Sequence, residues 1–243
     1  MNPFLIRAVL FDVDGVLTDS EPTRFRVGAQ ALAEVGVPLT REAFQACWLG
    51  RTTEAALQDV LGERFARLGP QVIERRNGLY EEQMDRIDAF PDAIRLLRRM
   101  PPELRLGIAT GARRGEVESI LWRAALTESF GTLVTAEDYP RAKPAPDAFL
   151  VAARLLHLSP AACLVIEDSP AGVAAAQAAG MPVVAVRRDS SAPELVGATW
   201  HVTSLDDLNL SSRGEVSIRS ATQSRKTSFK KAVGLTHTAA LLY

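Results

Sequence analysis

The sequence is poor in the residues that would tie it to a membrane, a disulfide scaffold or a zinc site. No stretch approaches the ~20 consecutive apolar residues that cross a bilayer, so no membrane partner is expected. Cysteine occurs only at Cys47 and Cys163, far apart and without metal-ligand spacing, and both read as buried hydrophobes. Nothing asks for an oxidising compartment. The apolar beginning, Met1–Leu10, runs straight into Asp12 and Asp14, which a secretory leader would not do, so the expected location is cytoplasmic. Lysine is the scarcest cation: before residue 209 there are 21 arginines and a single lysine, Lys143. A chain that otherwise uses arginine has kept a lysine at one position, and that position needs a reason.

What is present is an ordinary globular composition. Over 243 residues, 47% hydrophobic content supplies ample core. The net charge of −1 hides an uneven distribution. Residues 209–243 hold six basic groups against one acid, whereas the rest carries 22 basic and 28 acidic residues. This segment, 209–243, is expected to be a basic, disordered tail of unassigned partner. Nucleic acid is not the expected partner, because no aromatic stacking platform accompanies the charge.

Five short apolar runs read as strands buried on both faces, as in a parallel sheet: Ala8–Phe11, Leu104–Thr110, Thr132–Thr135, Cys163–Ile166 and Pro182–Val186. Between them, Val117, Ile120, Leu121 and Ala124 follow helical spacing, as do Phe149, Ala152, Ala153 and Leu156. A helix is expected to start at Pro170 and stop at Gly180. The alternation predicts an α/β fold with a doubly wound, Rossmann-like parallel sheet, whose ligands sit at the carboxyl ends of the strands. Residues 16–88 break the rhythm. They show helical patterns only, at Phe25–Val35, Thr53–Leu61 and Val72–Met84, and are too many for a crossover. The expected organisation is a core of 1–15 and 89–208 with a helical unit, 16–88, packed over the strand ends.

Two pairs of acids then fall at one edge of the sheet. Asp12 and Asp14 leave the first strand and turn at Gly15, so that one can serve as nucleophile or metal ligand while the other handles protons. Read alone, the segment is equally an Asp-rich turn. Glu167 and Asp168 end the fourth strand beside them. Four converging carboxylates repel one another unless a hard cation lies among them, and oxygen ligands suit magnesium. Ser169 has sufficient reason to be there as a helix cap. Thr110 ends the second strand, and with Gly111 it either holds a phosphoryl oxygen or forms a plain turn. Lys143, fixed by Pro144 and Pro146, suits a compact ammonium over a phosphate.

In this order, Asp12-Val13-Asp14-Gly15, Thr110, Lys143 and Glu167-Asp168 resemble the four motifs of the haloacid dehalogenase superfamily, over residues 5–205. The helical insertion is similar to the cap of its β-phosphoglucomutase and phosphoglycolate phosphatase branch. The resemblance implies Asp12 as the nucleophile that becomes an aspartyl-phosphate and Asp14 as the proton carrier. It implies magnesium held by Asp12, the main-chain carbonyl of Asp14, Asp168 and, through water, Glu167. Thr110, Gly111 and Lys143 would hold the phosphoryl group, and Arg51 and Arg24 of the cap are the candidates for reading the substrate. Gly111 stands where members often have Asn or Ser, Arg24 where the mutase branch has a histidine, and the basic tail has no counterpart.

The expectation is a magnesium-dependent phosphatase of a small phosphorylated metabolite, a sugar phosphate or phosphoglycolate-like ester, acting as a monomer. A sugar-phosphate mutase is the runner-up, and a phosphate-ligand sensor or scaffold is the reading from outside enzymology. A Schiff-base phosphonatase is excluded, since residues 1–142 contain no lysine. A dehalogenase would need neither Asp14 nor Asp168.

Overall fold

The computed structural model describes residues 5–48, 51–188 and 194–219. Six strands form one sheet: β1 (Ala8–Phe11), β2 (Arg105–Ala109), β3 (Thr132–Val134), β4 (Cys163–Glu167), β5 (Val183–Val186) and β6 (Trp200–Val202). Their spatial order is β3-β2-β1-β4-β5-β6, and every neighbouring pair is parallel. β1 lies centrally, with Phe11 opposite Ile108 on one side and Ile166 on the other. The strand order reverses there, which opens a crevice at the carboxyl ends of β1, β2 and β4.

Strand periodicity divides β1 between two cores. Val9 and Phe11 enter a cluster with Leu96 of α5 (Pro91–Arg98) and Val117 and Ile120 of α6 (Arg114–Arg123). Ala8 and Leu10 enter the opposite cluster, with Phe149 of α7 (Asp147–Leu155) and Val173 of α8 (Pro170–Ala178). Between β1 and α5 lie four helices with a third core of their own: α1 (Glu21–Ala33), α2 (Arg41–Trp48), α3 (Thr53–Leu61) and α4 (Phe65–Glu81). Val27, Leu32, Phe44, Leu57 and Tyr80 are part of that core. These helices fall within residues 16–88. Their two connections to the sheet run side by side, with Asp19 N–H donating to Asp88 C=O at 3.1 Å and Phe90 N–H to Leu17 C=O at 2.8 Å. None of the described helices is long and apolar enough to cross a membrane.

The structure departs from the sequence expectations in four places. β6 is a sixth strand with no apolar run to announce it, since His201 at its centre is exposed. α4 begins at Phe65 and continues through Pro70, seven residues before the expected start. Cys163 is buried as expected, but Cys47 is only half-buried, and both are free thiols. The segment from 209 does not begin as a disordered tail. β7 (Leu208–Leu210) and β8 (Val216–Ile218) form an antiparallel hairpin that turns at Gly214. Leu210 and Val216 join the core beside Ile6, and Ile6 N–H donates to Gly214 C=O at 3.2 Å. The alternation Val-Ser-Ile was the available signal. Residues 220–243, with the remaining basic residues Arg225, Lys226, Lys230 and Lys231, lie outside the described residues.

The hairpin therefore belongs to the folding unit. Leu210→Ala is expected to cost about 2 kcal/mol or more through transfer and cavity terms, with the urea dependence of unfolding unchanged. A loss under about 0.5 kcal/mol would place the hairpin outside the cooperative core.

Candidate active site

The site is built on strand ends. Asp12 follows β1 directly and is buried, and its backbone N–H donates to Ile166 C=O at 3.1 Å. The chain then turns at Gly15, whose φ of +76° favours glycine, and a Cβ there would fall 1.7 Å from Asp168 Oδ2. Both conformation and space therefore require glycine at 15, and this brings Asp14 and Asp168 to the crevice that Asp12 enters. Arg188 holds the turn from behind, donating to Gly15 C=O and Val16 C=O at 3.0 Å each and to Asp92 Oδ2 at 2.8 Å. Asp12, Asp14, Thr110, Gly111 and Asp168 line one chamber, closed by Arg24, Phe44, Trp48 and Arg51 of the helical unit.

Lys143 is 2% exposed. Its ammonium donates to Asp12 Oδ1 at 2.7 Å, Glu167 Oε1 at 2.6 Å and Ala109 C=O at 3.1 Å. An ammonium has three donors, and each meets an acceptor. Burial alone would weaken this group, but Asp12 and Glu167 outweigh it and hold it above its ordinary pKa. Burial likewise pushes Asp12 up, Lys143 pulls it down and Glu167 pushes it up again, leaving it raised.

Glu167 is placed differently from its expected role. Its Oε2 accepts from Asp168 N–H, Ser169 N–H and Ser169 Oγ, at 2.9, 3.1 and 2.9 Å, while Oε1 is bound to Lys143. It is 0% exposed and packed on Gly172, where a Cβ would fall 1.9 Å from its carboxyl carbon. Glu167 thus ties Lys143 to the first turn of α8 and is not among the residues that line the chamber. Ser169 caps that helix, accepting from Gly172 N–H at 3.0 Å.

Asp168 fits the opposite description. Burial and the negative neighbours Glu167, Asp12 and Asp14 push its carboxyl well above the usual range. That environment is relieved by a cation. Among the described residues no three His, Cys, Asp or Glu side chains are grouped to hold a metal by themselves. The residues still fit magnesium, which commonly takes one or two carboxylates and completes its shell with water and substrate phosphate.

The expected substrate readers also take other positions. Arg24 is 6% exposed, and its Nη1 lies 2.7 Å from Asp14 Oδ2 as an ion pair rather than a directed hydrogen bond. Asp14 also accepts a short hydrogen bond from Ser20 Oγ. Burial raises Asp14, Arg24 lowers it, Asp12 raises it, and the carboxyl ends above its ordinary pKa. Arg51 directs its guanidinium away, to Asp59 and to the carbonyls of Cys47 and Ala55. Its backbone, not its charge, approaches Gly111. Leu49 and Gly50 of the same loop lie outside the described residues. Thr110 is fully buried, with Oγ1 accepting from Ala112 N–H at 3.2 Å, and Tyr139 donates to Thr110 C=O at 3.0 Å. Ser20, Arg188 and Glu116 were not singled out in the sequence. A chain with 24 arginines and 29 acids offers no local signal for which of them pair at long range.

Comparison with known proteins decides the family, because the haloacid dehalogenase-like hydrolase description matches residues 6–180. The chain is a haloacid dehalogenase-like hydrolase. Its relatives in this family include the β-phosphoglucomutase of Bacillus subtilis, 30% identical over 215 residues, 84% of this chain and 92% of that protein. The fructose-1-phosphate phosphatase of Escherichia coli is 30% identical over 183 residues, 74% of this chain and 95% of that one. A 34% identical segment lies in the chloroplast protein Suppressor of Quenching 1 of Arabidopsis thaliana, covering 75% of this chain but 18% of that protein. Among solved structures, a Lactobacillus plantarum protein assigned provisionally to phosphoglycolate phosphatase superposes with a TM-score of 0.72 at 26% identity. That match covers 82% of this chain and 96% of the other. The resemblance of the motifs to the superfamily and to its β-phosphoglucomutase and phosphoglycolate phosphatase branch is thereby borne out.

One substitution at two glycines separates the geometric demands. Gly15→Ala is expected to displace the Asp168 carboxylate, abolish activity and lower the melting temperature, with a backbone term of about 1–2 kcal/mol. Gly111→Ala, whose Cβ would meet atoms no nearer than 3.5 Å, is expected to leave the melting temperature unchanged. Equal melting temperatures for the two variants would contradict this account.

Proposed function

We propose that the chain is a magnesium-dependent phosphatase of small phosphate monoesters, sugar phosphates or phosphoglycolate-like, that works through an aspartyl-phosphate on Asp12. The observation that carries this reading is Asp12 itself. It is a buried carboxylate with one oxygen fixed by the Lys143 ammonium, in the lining of a chamber it shares with a second acid, Asp14. An oxygen of Asp12 attacks phosphorus as the ester oxygen departs with a proton from Asp14. Asp14 then takes a proton from the water that attacks the acyl phosphate, which regenerates Asp12 and releases inorganic phosphate. The raised pKa of Asp14 suits a group that must carry a proton and give it up. Thr110 and the Gly111 backbone would meet the phosphoryl oxygens, and Lys143 would offset the charge on Asp12. Asp12, the Asp14 carbonyl and Asp168 would hold magnesium, which when bound supplies positive charge to the transferring phosphoryl group. The helical unit acts as the cap over this chamber, moving at the paired connections near Leu17–Asp19 and Asp88–Phe90.

Asp12→Asn is nearly isosteric, so it is expected to fold normally while turnover falls below about one per cent of wild type. Chelation is expected to remove wild-type activity, with magnesium but not calcium restoring it, since calcium prefers longer bonds and a larger shell. Retained turnover in either experiment refutes the assignment it tests.

Relatives at 30% identity include both a phosphatase and a mutase, so hydrolysis must be argued from the site. Arg24 decides it. A mutase has to delay the attack of water until an acceptor hydroxyl arrives, and a guanidinium paired with Asp14 cannot shuttle protons at neutral pH. Incubation with hexose 1-phosphates and 6-phosphates, with and without catalytic sugar bisphosphate, is expected to release phosphate in both cases. Isomerised sugar in excess of free phosphate would establish the mutase instead.

A further inference from the structure

Three arginines converge on one buried carboxylate where the cap meets the sheet. Glu116 lies in the first turn of α6 and is 3% exposed. Arg76 of α4 donates through Nη1 to its Oε1 at 3.1 Å, and Arg113 donates through Nε to the same oxygen at 3.0 Å. Arg24 Nη1 stands 3.7 Å from Oε2 and, on its other side, 2.7 Å from Asp14. Arg113 reaches back across the boundary to Glu81 at 3.1 Å. The Tyr80 ring packs against both cap arginines, with the guanidinium carbons of Arg24 and Arg76 5.9 and 4.4 Å from its centre.

The three guanidinium groups meet three carboxylates, Glu116, Asp14 and Glu81, but their donors outnumber the acceptors within reach. Arg76 is 2% exposed, yet its Nε and Nη2 have no hydrogen-bond partner among the described residues, and neither does the Tyr80 hydroxyl. Burial disfavours the charge on Glu116, but Arg76, Arg24 and Arg113 outweigh it and keep the carboxyl below its usual range. Burying donors without partners opposes seating the cap, and Glu116 opposes that penalty. Parting at the paired connections would hydrate all of these groups, and Glu116 is the carboxylate that faces the buried Arg76 while they stay together. Arg24, shared between Glu116 and Asp14, makes the active-site contact part of the same arrangement.

We propose that Glu116 and Arg76 are positioning residues that seat the cap on the core and thereby hold Arg24 against Asp14. The kinetic part of the test rests on the phosphatase reading, and the structural part does not. Nitroxides at the exposed positions Arg67 on α4 and Glu118 on α6, in a Cys47→Ala/Cys163→Ala background, report the cap–core distance by double electron–electron resonance. The parent protein is expected to give one narrow distance. Glu116→Gln is expected to add a longer, broader one and to raise KM about tenfold while kcat falls less than about threefold, because only the seated fraction binds productively. Glu116→Asp is expected to fall between them. Arg76→Gln/Glu116→Gln is expected to return towards the parent, since it leaves no guanidinium buried without its counter-charge.

An unchanged distance in Glu116→Gln overturns the proposal, as does a loss of kcat at constant KM, which would signal only less folded enzyme. A double variant as open as the single also overturns it. Should Glu116→Gln fail to fold, Glu116→Asp and the double variant carry the same comparison. If the wild-type protein turns over no phosphate ester, the phosphatase reading fails, while the distances still decide the role of Glu116.

Discussion

A single buried ammonium makes the arrangement of acids tolerable. Two adjacent parallel strands, β1 and β4, end in carboxylates, and the parallel register that aligns Phe11 with Ile166 leaves those carboxylates side by side. Lys143 stands between Asp12 and Glu167 and finds its third acceptor in the Ala109 carbonyl at the end of β2. One cation therefore bonds to the ends of three neighbouring strands. A guanidinium has the same charge, but its planar fork does not present three donors to three acceptors spread around one atom. This accounts for the one lysine among the 22 basic residues that precede residue 209. Removing it would leave buried acids without compensation, a larger penalty than the pair contributes when intact.

The other half of the site follows from where the helical unit is inserted. It leaves the sheet immediately after the turn that carries Asp14 and returns immediately before α5, so the two connections lie against each other and against Asp14's own turn. Arg188, stacked 3.7 Å over Phe90, holds that turn and Asp92 of α5 together. A rearrangement of the helices relative to the sheet would pivot beside the acid that the proposed chemistry uses. Asp12 and Lys143 sit on the sheet side of this division, and Arg24 on the other.

The sheet was legible because its strands are buried on both faces and read as unbroken apolar runs. The acid pairs at their ends were legible because carboxylates following such runs have no packing reason to be there. Lys143 stood out by rarity. What could not be read was pairing between distant residues of common type. Arg24 and Arg51 were placed as substrate readers because they lie in the helical unit, and only the structure shows that Asp14 takes one and Asp59 the other. Glu167 was grouped with the metal ligands, through water, because Glu167-Asp168 resembles the fourth motif, and its hydrogen bonds with Lys143 and Ser169 could not be read from the sequence. The hairpin at 208–218 was obscured by the basic composition of the sequence beyond it, which outweighed a short apolar alternation.

The central position of β1 has a consequence for synthesis. The strand that carries Asp12 leaves the ribosome before its two neighbours, Arg105–Ala109 and Cys163–Glu167, which emerge only after the entire helical unit has been made. Until then both edges of an uncharged, fully apolar strand are open to pairing with another nascent chain. Pairings this distant in sequence form slowly, so the vulnerable interval does not end with synthesis of the last strand. The helical unit, whose contacts are local and whose core is its own, can condense during that interval next to the unprotected strand. Inserting it directly after β1 thus serves production of the protein as well as its chemistry, because it gives the emerging chain a folded body beside its most aggregation-prone segment.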